Sequence, residues 1–426
     1  MSNENISHPA SLTGTASLNK GLGDLEGNLD PKDIAQLNWN LLREDLSLPT
    51  AVLYEDRLQH NLDWMQQFIA AYGVKLAPHG KTTMAPRLFA RQLQTGAWGI
   101  TLATAHQTHV AYAHGVRRVF MANQLVGKEN MAIIARLHED PAFEYYCLVD
   151  SAALVGQLGA YFSQRGQRLN VLLELGVAGG RTGVRDDAQL QAVVASLAQW
   201  SDSIALSGVE VYEGILEDEA SVRAYLQHAV AITRTLATKN GFQRSAILLS
   251  GAGSAWYDVV AEVFSAANFG NSVEIVLRPG CYLTHDIGAY REAQIKIHER
   301  NPIAKRMGAG LLPALQVWAY VQSVPEPERA IIAMGKRDAA FDAGFPIPAL
   351  HFRPGNVAPK ATPAHWTITK MMDQHAYLQI AAHDDLQVGD MIGFDISHPC
   401  LTFDKWRTLP VLDTQYQVID IVQTFF

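Results

Sequence analysis

The chain has 426 residues, 48% apolar and 18% charged, the make-up of an ordinary folded protein and more than one compact core usually holds. A formal net charge of −8 leaves no basic face for nucleic acid, and no uncharged apolar run is long enough to span a membrane. The polar N-terminus lacks the apolar stretch of a signal peptide, and three scattered cysteines (Cys147, Cys281 and Cys400) suggest no disulfide framework and fit a reducing cytoplasm.

In chain order, Met1 to about Asn28 is rich in Ser, Gly, Asn and Leu with weak periodicity. It reads as a partly ordered segment lying on another surface. Pro49–Tyr54 alternates as a strand, and Asp56 opens a helix with Leu58, Leu62, Met65, Phe68 and Ile69 at helical spacing. Strand-like runs follow at Val74–Ala77, Gly99–Thr104, Arg117–Ala122, Phe143–Val149, Asn170–Leu175, Ile204–Tyr212, Ser245–Leu249 and Val273–Leu277. Amphipathic helices lie between them, among them Gln107–His114, Asn130–His138, Ser151–Gln164, Ala188–Trp200, Ser221–Lys239 and Trp256–Ala267.

Such alternation implies parallel strands joined by right-handed crossovers. Eight of them point to a closed TIM-type (β/α)8 barrel over an open doubly wound sheet. Past about His285 helix signals fade. Short β-like runs such as Leu315–Val324, Ala330–Ala333, Thr367–Met371, Ala376–Ile380, Met391–Ile396 and Tyr416–Val422, punctuated by Pro and Gly, give a C-terminal antiparallel β domain. The α/β chain thus divides into a barrel over residues 55–285 and a β domain over 1–54 and 286–426, which the strand at Pro49–Tyr54 joins.

Chemistry in a barrel sits on loops past the strand C-termini, backed by a rigid sheet. The first such loop, Ala77-Pro-His-Gly-Lys-Thr-Thr-Met84, sets Lys81 beside His79. A lysine there can form a Schiff base with an aldehyde cofactor, whereas a lone lysine in a turn is ordinarily a surface group. Polar and glycine residues such as Thr104, Asn123, Asp150 and Gly179-Gly180-Arg181 gather at the other strand ends, as an active-site rim should. After strand seven, Ser250-Gly-Ala-Gly-Ser254 resembles a phosphate loop. Gly251 and Gly253 let the backbone approach closely, and the helix-start N–H groups and the Ser254 hydroxyl bind the anion. Gly280, after strand eight, fits the same pocket.

Alone, Gly-x-Gly-Ser is more often a tight turn; opposite a lysine, a phosphate-bearing aldehyde, pyridoxal phosphate, is the better reading. Arg181 would brace the cofactor or a substrate carboxylate, or else lie on the surface. Tyr212 would hydrogen-bond the cofactor or substrate, or else fill the core. In the β domain, His398-Pro-Cys400 reads as an extended segment with one imidazole and one thiolate on the same side. That pair favours zinc and leaves positions open for water or substrate, although His-x-Cys by itself more often binds no metal.

These motifs resemble, in order and over about residues 45–420, the D-serine dehydratase and D-threonine aldolase group, pyridoxal phosphate enzymes of the alanine-racemase-like fold type III. The group's Arg-Pro-His-x-Lys-Thr is here Ala77-Pro78-His79-Gly80-Lys81-Thr82, without the first arginine. Its Arg-Thr-Gly is Arg181-Thr182-Gly183, its tyrosine after strand six is Tyr212, and its phosphate loop is Ser250 to Ser254. Its Pro-Gly-x-Tyr is Pro279-Gly280-Cys281-Tyr282, and its metal pair is His398 and Cys400. A His-x-Cys pair resembles the zinc-dependent dehydratases, the aldolases typically carrying His-x-Asp.

The resemblance implies that Lys81 is catalytic and holds pyridoxal phosphate together with His79, Arg181, Tyr212, Gly251, Gly253, Ser254, Gly280, Cys281 and Tyr282. It implies Zn2+ on His398 and Cys400, and a homodimer that pairs barrel with β domain. The expected substrate is a small D-amino acid: D-serine or a related D-3-hydroxy amino acid would give a 2-oxo acid and ammonia. Retro-aldol cleavage of D-threonine-like substrates and a non-catalytic pyridoxal phosphate carrier stay open as alternatives. A racemase would need a second base, which the sequence does not identify.

Overall fold

The computed structural model describes residues 19–23, 31–244 and 246–426. Strand β1 (Thr50–Tyr54) and helix α1 (Glu55–Tyr72) lead into eight parallel strands. These are β2 (Lys75–Leu76), β3 (Ile100–Leu102), β4 (Arg118–Gln124), β5 (Glu144–Val149), β6 (Leu169–Leu175), β7 (Ile204–Val211), β8 (Ile247–Gly251) and β9 (Val273–Leu277). From β3 onward each strand pairs with the next, and β9 returns to β2. The last seam, between β2 and β3, is closed by Trp98 N–H to the Leu76 carbonyl at 2.7 Å and Thr101 N–H to the Pro78 carbonyl at 2.8 Å. A parallel bridge between His79 and Thr101 extends it. The sheet is therefore the closed barrel that the alternation implies.

Helices α2 (Pro86–Gln94), α3 (Ala105–Ala113), α4 (Lys128–Leu137), α5 (Ala152–Ser163), α6 (Asp187–Gln199), α7 (Glu219–Thr238) and α8 (Tyr257–Ala266) cross between the strands and pack outside them. A strand so placed is buried on both faces, and β7 is buried along its whole length, which is why these strands read as apolar runs. On alternate positions Phe120, Tyr146, Leu148, Leu172, Leu248 and Val276 form a separate cluster inside the barrel. Thr104, Ser151, Asp186 and Asp218 accept the amide N–H groups of Gln107, Leu154, Gln189 and Ser221. Polar residues at several strand ends, Thr104 among them, are thus helix N-caps.

The second sheet holds β10 (Leu315–Glu326), β11 (Arg329–Ile332), β12 (Ile347–Phe352), β13 (Lys360–Ala361), β14 (Thr367–Met371), β15 (Ala376–Gln379), β16 (Met391–Asp395), β17 (Thr408–Leu412) and β18 (Val418–Gln423). Its order is β13–β12–β16–β10–β1–β17–β18, with β11, β15 and β14 branching from β10. The first strand of the chain sits near its middle, antiparallel to β10 but parallel to β17.

Two helices stand where the sequence shows fading helix signals, α9 (Ala289–Arg300) and α10 (Pro302–Met307). Only Gln294 and Ile297 of α9 are buried, so it carries almost no apolar stripe to read. Tertiary bonds hold it: Arg300 donates to both Asp258 oxygens at 2.6 and 2.7 Å, and the Tyr257 hydroxyl donates to Gln294 at 2.8 Å. The expectation for Met1 to Asn28 lies outside the described residues except at 19–23, and Ser245 of the expected seventh barrel strand lies outside them too. At 19–23 the chain does lie on another surface: the Thr50 hydroxyl donates to the Gly21 carbonyl at 3.0 Å, and Lys20 pairs with Asp338 at 3.0 Å.

Two stability predictions follow from this packing. A Cβ on Gly208 in β7 would stand 2.0 Å from the Leu248 carbonyl oxygen, a backbone atom that cannot turn aside. Gly208→Ala is expected to cost about 3 kcal/mol, read as a lowered thermal midpoint; an unchanged midpoint would contradict the packing. His138 sits edge-on to Phe143, Tyr145 and Phe162 with Nε2 buried and unpartnered among the described residues. Burial pushes its pKa down from 6.5 to about 4. The unfolded chain therefore takes up the proton first. The penalty is absent above pH 6.5, grows as the pH falls through that window and is complete below about 4. Urea titrations should show about 3 kcal/mol of this loss, and His138→Leu should remove it.

Candidate active site

β2 ends at Leu76, and the chain turns through Pro78 into a 3-10 turn over Gly80–Thr82. Lys81 is exposed on this turn while Gly80, Thr82 and Thr83 around it are buried. His79 faces inward, and its Nδ1 is buried with no hydrogen-bond partner among the described residues. Burial, then the cations Lys81 and Arg278, holds its pKa well below the usual 6.5, so the ring is neutral.

The loops after β7, β8 and β9 are tied into one surface. Glu213 is buried, and its carboxylate accepts the N–H groups of Ala252 at 3.0 Å and Gly253 at 2.7 Å. Those two amides of the glycine loop are braced from within, so an anion would have to use others. The bonds also hold Ala252 at φ +80, a conformation that costs a residue with a Cβ. The Ser254 hydroxyl accepts Cys281 N–H at 3.2 Å and so joins two of the loops. A Cβ on Gly280 would stand 2.6 Å from Thr82 Oγ1 and 2.9 Å from the His79 carbonyl oxygen, so glycine lets the loop after β9 touch the lysine loop.

Beneath the mouth Arg278 and Glu210 form a buried ion pair, and Arg278 Nε donates to Ser250 Oγ at 2.9 Å. Burial raises the Glu210 pKa and Arg278 opposes the rise. Removing either partner would leave a buried charge alone, which is costly. Arg181 stacks on Tyr212, its guanidinium 4.2 Å from the ring centre, so the structure brings these two expected residues together.

Two residues take packing positions. Gly251 turns its open side to Val211, Val260 and Phe264. Tyr282 is buried on the helix side, where its hydroxyl accepts from Gln92 Nε2 at 3.1 Å.

The β domain reaches this mouth through the segment after β16. Ile287 N–H bonds the Ile396 carbonyl at 3.2 Å, and the next residues carry His398 and Cys400. The pair does not converge through an extended strand as its spacing implies. Pro399 is helical at φ −58, ψ −44, and Cys400 opens the short helix α11 (Cys400–Phe403). Cys400 Sγ lies 3.6 Å from Thr82 Oγ1, next to Lys81 in the chain. His398 Nδ1 donates to Asp342 Oδ2 at 2.7 Å. Cys400, then Asp342, raises the His398 imidazole to about 9 against its burial.

A phosphate-bearing aldehyde fits this mouth: an amine stands at the rim, an orphaned ring nitrogen lies inside, and Gly280 lets the loop after β9 close against the lysine turn between them. Zinc fits the donor chemistry of His398 and Cys400, with Asp342 on Nδ1 leaving Nε2 for the metal. Among the described residues no group of three or more His, Cys, Asp or Glu is arranged as a metal site. Two protein ligands would leave positions for water or substrate.

Sequence reasoning did not assign Glu213, Asp342 or Thr82. Glu213 adjoins Tyr212, and Thr82 adjoins Lys81, so adjacency was the available signal; nothing in the chain near Asp342 marks it.

Residues 54–273, more than half the chain, match the family described as "Alanine racemase, N-terminal domain", and residues 314–412 match "Putative serine dehydratase domain". A D-threonine aldolase of Arthrobacter sp is 26% identical over 339 residues, covering 78% of this chain and 80% of its own. The D-threo-3-hydroxyaspartate dehydratase of Delftia sp. (strain HT23) is 29% identical over 170 residues, 40% of this chain and 44% of its own. Its structure aligns with TM-score 0.69 at 21% identity, covering 91% of this chain and 99% of that one. A cysteine-to-alanine mutant of that dehydratase is known in a metal-free form. The D-threonine aldolase from Filomicrobium marinum aligns with TM-score 0.74 at 22% identity over 91% of this chain and 97% of its own. These structural likenesses carry the fold.

Gly280→Ala should weaken pyridoxal phosphate retention at least about tenfold, measured by equilibrium dialysis; unchanged retention would remove Gly280 from the site. Because the His398 proton must leave before a metal binds, zinc affinity should fall about tenfold per pH unit below the His398 value of about 9. Asp342→Asn should lower that affinity by about 10–100-fold. A chelator-competition profile that is flat with pH would contradict the His398 role, and an unchanged affinity in Asp342→Asn would contradict the Asp342 role.

Proposed function

The chain belongs to the fold type III pyridoxal phosphate enzymes, an alanine racemase N-terminal domain followed by a serine dehydratase domain, and from that premise we propose a lyase that converts D-serine or a related D-3-hydroxy amino acid to a 2-oxo acid and ammonia. Residues 55–285 would hold the cofactor, and residues 1–54 with 286–426 would bring the metal. The observation that supports the reading is the 3.6 Å contact between Cys400 Sγ and Thr82 Oγ1, which sets Cys400 beside the lysine turn. The D-threonine aldolase and D-threo-3-hydroxyaspartate dehydratase relatives support a D-3-hydroxy amino acid as the substrate class.

Lys81 would hold the cofactor and, once its amine is free, take the proton from the substrate's α-carbon onto Nζ. Neutral His79 would meet the cofactor through its orphaned Nδ1, and Ser254, Gly280 and the Cys281 backbone would bound its phosphate end. Gly253, held by Glu213, keeps that loop in shape. Arg181, steadied on Tyr212, would meet a carboxylate of the substrate or the cofactor. His398 and Cys400 would hold zinc against the substrate's 3-hydroxyl, with Asp342 fixing the ring. When bound, pyridoxal phosphate supplies an electron sink at the α-carbon and zinc supplies Lewis acidity at the leaving hydroxyl.

The working form would be a homodimer in the cytoplasm. Among the described residues no helix is long and apolar enough to cross a membrane.

The test is product analysis across D- and L-3-hydroxy amino acids, with and without a chelator. The reading predicts ammonia and a 2-oxo acid from D-substrates only. It predicts at least about a 100-fold loss when the chelator removes the metal, with the cofactor's absorbance retained. Glycine plus an aldehyde would decide for retro-aldol cleavage. Full activity without metal would sink the zinc role, and bound cofactor with no turnover of any D-amino acid would decide for a carrier.

A further inference from the structure

Cys281 and Cys400 are separated by 119 positions, yet their Sγ atoms stand 3.9 Å apart. Cys281 lies on the turn after β9, and Cys400 opens α11. Thr82 Oγ1 is near both sulfurs, 4.0 Å from Cys281 and 3.6 Å from Cys400. A disulfide needs its sulfurs about 2.05 Å apart, so each has to move by about 1 Å, within the reach of side-chain torsions. Access is unequal: Cys281 is 4% exposed, whereas Cys400 is half-buried at the domain junction. A small oxidant would therefore reach Cys400 first, and Cys281 stands behind it to resolve the product. Cys147, the third cysteine, is fully buried in β5 and lies within neither loop.

We propose that Cys281 and Cys400 form a reversible disulfide that withdraws the Cys400 sulfur from the metal. The cross-link stands on the geometry alone; its effect on zinc rests on the metal site proposed above. The oxidant is a small dialkyl disulfide, RSSR. The Cys400 thiolate attacks one sulfur of RSSR, the S–S bond breaks, and RS− leaves. The Cys281 thiolate then attacks Cys400 Sγ, the mixed disulfide breaks, and the second RS− leaves. The two protons shed by the cysteines end on the two RS−. Two protein thiols are oxidised by two electrons, and RSSR is reduced to two RSH. A dithiol reductant reverses both steps. The Cys400 sulfur, shared in the S–S bond, is no longer the thiolate that binds zinc, so metal occupancy and cross-link exclude each other.

The experiment uses the full-length holoprotein loaded with zinc, titrated with glutathione disulfide and then read by mass and metal content. The expected result is an intact mass lower by two hydrogens and a proteolytic peptide joining the segments around Cys281 and Cys400. Bound zinc is lost in step with the cross-link, and dithiothreitol with added zinc restores both. Excess zinc should slow the cross-link. Cys147→Ser should behave as the parent chain does, whereas Cys281→Ser should form no such peptide and should instead stop at a Cys400–glutathione mixed disulfide, seen as a gain in intact mass. Overturning results are the absence of the 281–400 peptide at every ratio of oxidant, or a cross-link to Cys147 instead. A complete 281–400 cross-link with zinc still bound would overturn the exclusion. A protein that binds no zinc but still forms the link would uphold the cross-link and count against the metal site.

Discussion

The seam between β2 and β3 is the constraint on which the rest of the molecule depends. Eight parallel strands leave two edges unless the first and last members of the ring meet, and open edges leave backbone groups unpaired. Here the Leu76 and Pro78 carbonyls take the Trp98 and Thr101 amides, and the ring closes. Closure fixes β2 between β3 and β9, and the β2–β9 ladder, extended by Ala77 N–H to the Leu277 carbonyl at 2.8 Å, sets the loop after β9 against the lysine turn. Gly280 is the point of contact, with no room for a side chain between Thr82 and the His79 carbonyl. A sheet opened at this seam would leave β2 and β3, and with them the lysine turn and the loop after β3, on opposite edges.

The second sheet then completes the mouth. Because β1 belongs to that sheet and runs straight into α1, the two bodies are linked covalently at the start of the barrel as well as at its end. The Ile287–Ile396 backbone bond registers the segment after β16 against the segment after β9. The result is that His398 and Cys400 are presented to the lysine turn by backbone pairing, not by a long flexible loop. Charge is arranged to suit. The buried Arg278–Glu210 pair lies below, Glu213 is spent on two amides, and the neutral His79 ring faces inward beside Lys81. Precise placement by paired backbone is what catalysis by positioned groups requires.

The sequence carried some of this and hid the rest for physical reasons. The barrel was legible because strands buried on both faces become apolar runs, and β7 is the plainest case. Helix α9 was not, because Arg300–Asp258 and Tyr257–Gln294 hold it in place of an apolar stripe. The lysine turn and the glycine loop were legible as short motifs after strands. The bonds from Glu213 to Ala252 and Gly253 were not, since they join residues 39 and 40 positions apart and depend on barrel curvature. His398 and Cys400 stand out as a pair in the sequence, but Pro399 makes a helical turn between them in place of alternation along a strand. Scattered cysteines suggest no disulfide framework, and the fold nevertheless sets two of them 3.9 Å apart, because sequence separation says nothing about contacts made by loop convergence. Asp342 lies 56 positions from His398 and could be found only in three dimensions.

The central claim is that Lys81 is the amine that carries the cofactor at the mouth of a closed barrel. Reducing the holoprotein with borohydride fixes pyridoxal phosphate to whichever amine holds it, and peptide mass mapping then locates the bond. The modification is predicted on Lys81, in stoichiometric yield and lost in Lys81→Ala. A modification on another lysine, or none in a protein that retains its cofactor, would contradict the assignment.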